Sequence, residues 1–373
     1  MQEIKKRRIV LASVLKPANE PRMFEKIGKS LAKNFEVYCI GGPISEGTPE
    51  ATNPRLIALK GSSRIGFRRL FVPFTVLKNI LVIKPSLLIV CTHELLFISF
   101  LARLLTRCKV IYDVQENYYL NILFGKSFPF ILDIIIATYV RMKERVSRLF
   151  VHHYFLAEKA YAHEMNFFRT RRTVLENKLV DSAADTIAKR NKPRPDTILL
   201  FSGTLAETTG VFIAIDLATR LYQLDQNIRL KIIGSSASKR MLERIEEKVQ
   251  DQLYIELIGG SSFVPHEMIL EAIQSADFGI ISYPPNPSTF HSIPTKLYEY
   301  LGLQLPILLF AHPEWSKQCE PYNAAISFNP VSLSPEHLLT AMKTREFYTN
   351  PPQNVFWSSE EKKLMQTIES LGM

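Results

Sequence analysis

The chain reads as an α/β protein made of two parallel-sheet domains in series. Three observations lead there. Short apolar runs alternate with helical patterns from one end to the other, as in βαβ units. At 373 residues the chain is too long for one ordinary core and suits two domains. Glycine-bearing polar clusters follow directly on apolar runs, and ligands of open α/β sheets sit at that end of the strands.

In the first half the strand runs are Arg8–Ser13, Phe35–Ile40, Arg55–Leu59, Ser86–Cys91, Lys109–Tyr112, Leu149–Val151 and Thr173–Leu175. Their Val, Ile, Leu and Phe content suits strands covered on both faces. Helices fit between them, for example Pro21–Ala32 and Leu95–Leu105. Asn191-Lys-Pro-Arg-Pro195 marks a linker, because paired prolines with charges break both periodicities. Beyond it the strand runs are Thr197–Phe201, Arg229–Ile233, Tyr254–Leu257, Phe278–Ser282, Pro306–Phe310 and Ala325–Ser327. Pro284-Pro285-Asn286-Pro287 stops the fourth of these, and the chain restarts with Ser292 as a helix N-cap and Pro294 in the first turn. Ser358 and Glu361 have the spacing of a capping box opening a last helix, Glu360–Leu371. The expected domains are 1–180 and 195–350, with 351–373 forming the last helix.

Charge is unevenly spread within a net of +10. Residues 1–180 hold 29 Lys+Arg against 14 Asp+Glu, whereas residues 181–373 hold 17 against 22. A basic first half favours anionic lipid, nucleic acid or phosphorylated substrates. Gly61–Phe74 interleaves Arg64, Arg68 and Arg69 with large apolar residues, a pattern suited to a headgroup layer and equally to a core helix with a solvated basic side. Cys39, Cys91, Cys108 and Cys319 lack zinc or CxxC spacing and read as buried thiols of a reducing compartment. No run is long and apolar enough for a membrane span, and the apolar run after Arg8 is too short for a signal peptide. His152-His153 has no third ligand nearby to make a metal site.

The most informative stretch is 291–310. Thr295, Lys296 and Glu299 surround a predicted helix start, where backbone N–H groups and the macrodipole favour an anion. Lys296 and Glu299 share a face, a cation for phosphate beside a carboxylate able to hold vicinal hydroxyls. Such chemistry suits the pyrophosphate and ribose of a nucleotide. Gly203-Thr204 ends one strand before Gly210 opens a helix, and Gly234 ends another; both are turns where backbone amides can approach phosphate. No Gly-x-Gly-x-x-Gly follows any strand, which argues against a nicotinamide enzyme.

The pattern Pro294-x-Lys296-x-x-Glu299-Tyr300 followed by Gly302 and Pro306 resembles the donor-site signature of GT-B glycosyltransferases of the group 1, family 4-like type. The resemblance extends over nearly the whole chain. Asn19-Glu20-Pro21-Arg22 resembles the element after the family's first strand, and Asn354–Ser358 the lead into its C-terminal crossover helix. It implies two Rossmann-like domains with a facing cleft, the first for the acceptor and the second for the donor. It also implies donor-binding roles for Gly203, Thr204, Gly234, His291, Thr295, Lys296 and Glu299, and catalytic roles for His93, Asp113, Gln115 and Glu116. Four positions depart from the pattern. Thr204 and Thr209 stand where cations are common, Gln115 where a histidine is usual, and His291 where a first glutamate lies eight positions before Glu299.

The resulting expectation is transfer of a sugar from a nucleotide-sugar to a glycan or lipid-linked acceptor in cell-envelope or capsular saccharide synthesis, with retention as the family implies. The nucleotide-sugar is the substrate; no cofactor, metal or nucleic acid is expected. The setting would be cytoplasmic, peripheral on the membrane through residues 61–74. A nucleotide-sugar epimerase of the same fold, or a non-catalytic relative binding a partner or lipid, fits the same residues.

Overall fold

The structure, a computed structural model, describes residues 6–44, 52–59, 71–125, 129–182, 195–262 and 264–373. Two compact units divide the chain: Met1–Asn177 with Trp357–Met373, and Lys178–Phe356.

The first unit is built on a seven-stranded sheet of order β3-β2-β1-β4-β5-β6-β7. Its strands are β1 Arg8–Pro17, β2 Glu36–Gly42, β3 Arg55–Ala58, β4 Leu87–Val90, β5 Lys109–Val114, β6 His153–Leu156 and β7 Arg172–Val174. Every pairing is parallel, with Ile9 of β1 opposite Val37 and Leu87. Alternate residues feed two cores because successive side chains point to opposite faces. Val10, Leu88 and Val110 enter the layer closed by helices Val72–Ile83 and Leu96–Thr106. Ile9, Leu11, Leu87 and Ile89 enter the other layer, closed by Met23, Phe24 and Ile27 and by Trp357, Leu364 and Ile368 of the last segment. That segment is fixed by polar contacts too: the Trp357 indole donates to Ser30 Oγ at 2.9 Å, and Lys33 pairs with Glu361.

The second unit holds a six-stranded sheet of order β10-β9-β8-β11-β12-β13. Its strands are β8 Thr197–Thr204, β9 Ile228–Ser235, β10 Ile255–Gly260, β11 Phe278–Ile281, β12 Ile307–Phe310 and β13 Ala325–Phe328, again all parallel. The strand order reverses between β1 and β4 in the first sheet and between β8 and β11 in the second. Crevices at the carboxyl ends of strands open at such reversals.

Several local expectations are corrected. The sixth strand is not Leu149–Val151: those residues turn back on the end of helix Phe130–Ser147, with Val151 N–H donating to Ser147 O at 2.8 Å. The strand starts later, at His153, whose ring bonds Thr173 Oγ1 at 2.9 Å, while His152 Nδ1 accepts from Val110 N–H at 3.0 Å. Burial and nearby Arg171 push His153 down to about 4, so both rings serve the sheet. Pro21–Ala32 is a π-helical run, Arg22–Gly28, continued by one α-turn. The last helix runs Ser358–Ser370 with Trp357 at its N-cap, so Ser358 lies inside it. All four cysteines are free and buried. Among the described residues no helix is long and apolar enough to cross a membrane. Gly61–Leu70 of the arginine-rich stretch and Asn191–Arg194 of the linker lie outside the described residues.

Candidate functional site

In the second unit the carboxyl ends of β8 and β9 come together through glycine backbone. Gly203 has φ +98°, open to glycine at little cost, and a side chain on Gly234 would collide with Gly203 O at 1.7 Å. Gly210, at φ +78°, caps helix Val211–Leu224 and lies so close to the end of β11 that a Cβ would fall 1.8 Å from Ser282 O. Thr209 holds the turn between them: its hydroxyl donates to Thr204 O at 2.7 Å and accepts from Ala206 N–H at 3.2 Å. The threonine standing where a cation is common is thus a turn lock. Thr204 itself is exposed, and Gly234 is buried.

Lys296 lies beneath this turn. It sits on helix Thr295–Gly302, whose N-cap is Pro294 rather than the expected Ser292. Its ammonium donates to Ser202 O at 2.5 Å and stands over the rings of Phe201 at 4.5 Å and Tyr283 at 5.0 Å. Burial lowers its pKa to about 8, and Glu299 opposes that shift. The aromatic box and Ser202 therefore pre-position a poorly solvated cation for an anion. Tyr300, on the same helix, bonds Ser202 Oγ at 2.9 Å and fixes the strand end from below.

Glu299 is buried and its Oε1 lies 2.8 Å from His266 Nε2. His266 opens helix His266–Ser275 and was not singled out from sequence; its position after Pro265 at a helix start was the available signal. Thr295, half-buried, begins the Lys296 helix. His291 stands apart in its contacts: it is exposed, with Nδ1 2.7 Å from Glu314 Oε1 and its ring edge against Phe290.

In the first unit the corresponding place is a chain of side chains. Asp113, fully buried near the end of β5, takes a two-pronged contact from Arg22, Nε to Oδ2 at 3.0 Å and Nη2 to Oδ1 at 2.7 Å. Arg22 also donates to Leu175 O at 2.7 Å. Gln115 donates to Asp113 Oδ2 at 2.8 Å and accepts from Lys16 Nζ at 2.7 Å. Burial lowers the Lys16 pKa, but Glu20, Glu116 and Asp113 outweigh it and the net shift is upward. Lys16 and Arg22 were not among the expected site residues; both lie after β1's apolar run, in or beside the Asn19–Arg22 element.

His93 follows β4. Lys143 Nζ lies 3.0 Å from its Nδ1, and an ammonium only donates, which assigns Nδ1 as acceptor and leaves the proton of the neutral ring on Nε2. The ring packs edge-on against Tyr118 with centroids 4.6 Å apart. Burial depresses Lys143. Glu116, half-buried, accepts from Asn121 Nδ2 at 3.1 Å. Thus Asp113 and Gln115 are joined directly, and His93 opens the short helical turn after the neighbouring strand β4.

Residues 183–354 match the family described as glycosyl transferases group 1. No curated protein sequence matches the chain significantly. Among solved structures, sucrose-phosphate synthase from Thermosynechococcus elongatus superposes with TM-score 0.71 at 12% identity, covering 98% of this chain and 99% of that one. HepE of Anabaena, solved with UDP-glucose, gives 0.68 at 12% identity over 98% and 100%. The catalytic domain of starch synthase IV from Arabidopsis thaliana, bound to ADP and acarbose, gives 0.64 at 10% identity over 98% and 99%. At such identities the likeness speaks for the fold.

Proposed function

We propose, from the premise that the chain is a glycosyltransferase of the group 1 type on the GT-B fold, that it moves a sugar from a nucleoside-diphosphate sugar to a glycan or lipid-linked acceptor. The observation that carries this reading is the Lys296 ammonium, bonded to Ser202 O at 2.5 Å beneath the Gly203 turn. A diphosphate there meets a cation with reduced hydration, a turn that carries no side chain at Gly203 and the N-terminus of helix Thr295–Gly302. Each stabilises the charge that grows on the departing nucleotide. Glu299, whose Oε1 lies 2.8 Å from His266 Nε2, is the carboxylate that this reading gives to the ribose hydroxyls.

The acceptor falls to the basic first unit. Its Gln115 cannot exchange a proton near neutral pH. Retention fits that chemistry, because the leaving phosphate itself takes the acceptor proton. Asp113 then positions Gln115 and Arg22, and His93 with Glu116 faces the acceptor. The nucleotide-sugar is the only small molecule required. Cell-envelope or capsular saccharide assembly at the cytoplasmic face is the setting we assign.

Thermal stabilisation by a panel of nucleoside diphosphates and nucleotide-sugars tests the donor reading. A ligand at a hundred times its dissociation constant adds about 2.7 kcal/mol. A shift for one base that Glu299→Ala loses supports it. No shift for any member, from folded protein, favours a non-catalytic relative; turnover of the donor with no acceptor present favours an epimerase.

A further inference from the structure

Helix Phe130–Ser147 is inside out. An ordinary surface helix buries its apolar stripe. This one buries Asp133, Ala137, Val140, Glu144 and Ser147 and turns Phe130, Ile131, Ile135, Tyr139, Met142 and Val146 outward. The exposure is large, 74% for Phe130, 71% for Ile131 and 57% for Ile135. The orientation is locked from within: Tyr112 donates to Glu144 Oε1 at 3.1 Å, and the hydroxyls of Ser147 and Tyr154 meet at 3.0 Å.

Its neighbours continue the face. Helix Leu96–Thr106 packs beside it and exposes Phe97, Phe100 and Leu104; helix Val72–Ile83 packs on that and exposes Phe74 and Val82. Exposed apolar side chains on three successively packed helices mark an interaction surface.

Charge selects the occupant. The three helices contain two acidic residues, Asp133 and Glu144, and both are buried. Exposed cations stand on these helices and just after them: Lys78, Arg107, Arg145 and Arg148. At the end of helix Phe130–Ser147, Arg145, Arg148 and Arg169 line a groove of about 480 Å³ with Met142, Val146 and Leu149, and no acid lines it. Apolar side chains flanked by cations match acyl chains beneath anionic headgroups. A second copy of the face, related by a twofold axis, would set cations against cations, since the three helices offer no exposed carboxylate.

We propose that this face of the first unit is a membrane-docking surface, with helix Phe130–Ser147 lying in the headgroup layer of an anionic bilayer and the arginine groove holding lipid phosphate. The surface needs no nucleotide and stands apart from the transfer reading. Of the 61–74 stretch it takes in Phe71 and Phe74; Gly61–Leu70 lie outside the described residues.

The test is co-sedimentation of the full chain with vesicles of phosphatidylcholine alone and of phosphatidylcholine with phosphatidylglycerol. The protein is expected to pellet with the anionic vesicles and to be released by salt. The triple variant Ile131→Glu, Ile135→Glu, Tyr139→Glu is expected to partition at least about tenfold more weakly with unchanged melting. Arg145→Glu with Arg148→Glu, an independent variant, is expected to lose the preference for phosphatidylglycerol. Wild-type protein left in the supernatant with anionic vesicles overturns the proposal. So does unchanged binding by either variant, and so does a wild-type dimer in sedimentation velocity that the triple variant breaks while vesicles capture nothing.

Discussion

The two clusters at the strand-order reversals occupy equivalent places in their sheets and are made of opposite materials. In the second unit the frame is backbone: Gly203, Gly210 and Gly234 bring three strand ends together, and one cation, Lys296, completes it. In the first unit the frame is side chains, Lys16 to Gln115 to Asp113 to Arg22, each holding the next. A backbone frame keeps its shape when a functional side chain is changed, whereas a side-chain frame couples every change to stability.

The largest effect that separates them is expected at Asp113. Asp113→Ala leaves the Arg22 guanidinium buried and uncompensated, a cost of about 3–5 kcal/mol measurable by urea unfolding. Pairing Asp113→Leu with Arg22→Met is expected to restore most of that. A cost below about 1 kcal/mol for Asp113→Ala would mean that the chain of side chains does not hold the unit.

Lys296→Met is the matching change in the second unit, and the outcome should invert. Nucleotide affinity is expected to fall about 10–100-fold in calorimetry, the cost of a charge-assisted hydrogen bond. Stability is expected to hold or rise, because a buried ammonium is removed. Loss of stability with nucleotide affinity intact would break the contrast.

A pH titration sharpens it further. Lys296 has its folded pKa lowered to about 8 by burial, against an ordinary value of 10.5. Between those two values the unfolded chain binds more protons than the folded one at this group, so its contribution to stability rises with pH across that window. The destabilisation is fully present below about 8 and relieved above 10.5. Nucleotide binding should move the other way and weaken as pH rises through about 8. Lys296→Met is expected to flatten both dependences.

The smallest effect is expected at Gln115. Gln115→Ala removes hydrogen bonds to Asp113 and Lys16 and is expected to cost about 0.5–1.5 kcal/mol. If turnover with an acceptor vanished while stability changed this little, Gln115 would touch substrate as well as support Asp113.

The same contrast explains what the sequence made legible. The second unit's cluster is read from a near-contiguous segment, because Lys296, Glu299 and Tyr300 follow each other on one helix and the glycines end strands. Strand positions were legible for the same reason, since buried parallel strands are continuous apolar runs. The sixth was misplaced because Leu149-Phe150-Val151 is an apolar turn, while the true strand opens with a histidine. Partners supplied from far along the chain were not legible. His266 reaches Glu299, Lys143 reaches His93 and Lys16 reaches Gln115 across dozens of residues, and no periodicity encodes such meetings. Ser292 looked like a cap by residue type, but the proline after Ile293 takes that position.

Trp357, Leu364 and Ile368 complete the core around Ile9 and Leu11, although all of Lys178–Phe356 separates them from the rest of their unit. During synthesis the second unit therefore emerges whole while the first still has an open apolar slot on one face of its sheet. The first unit is started first and finished last. Until helix Ser358–Ser370 is made, that slot is open apolar surface on the nascent chain.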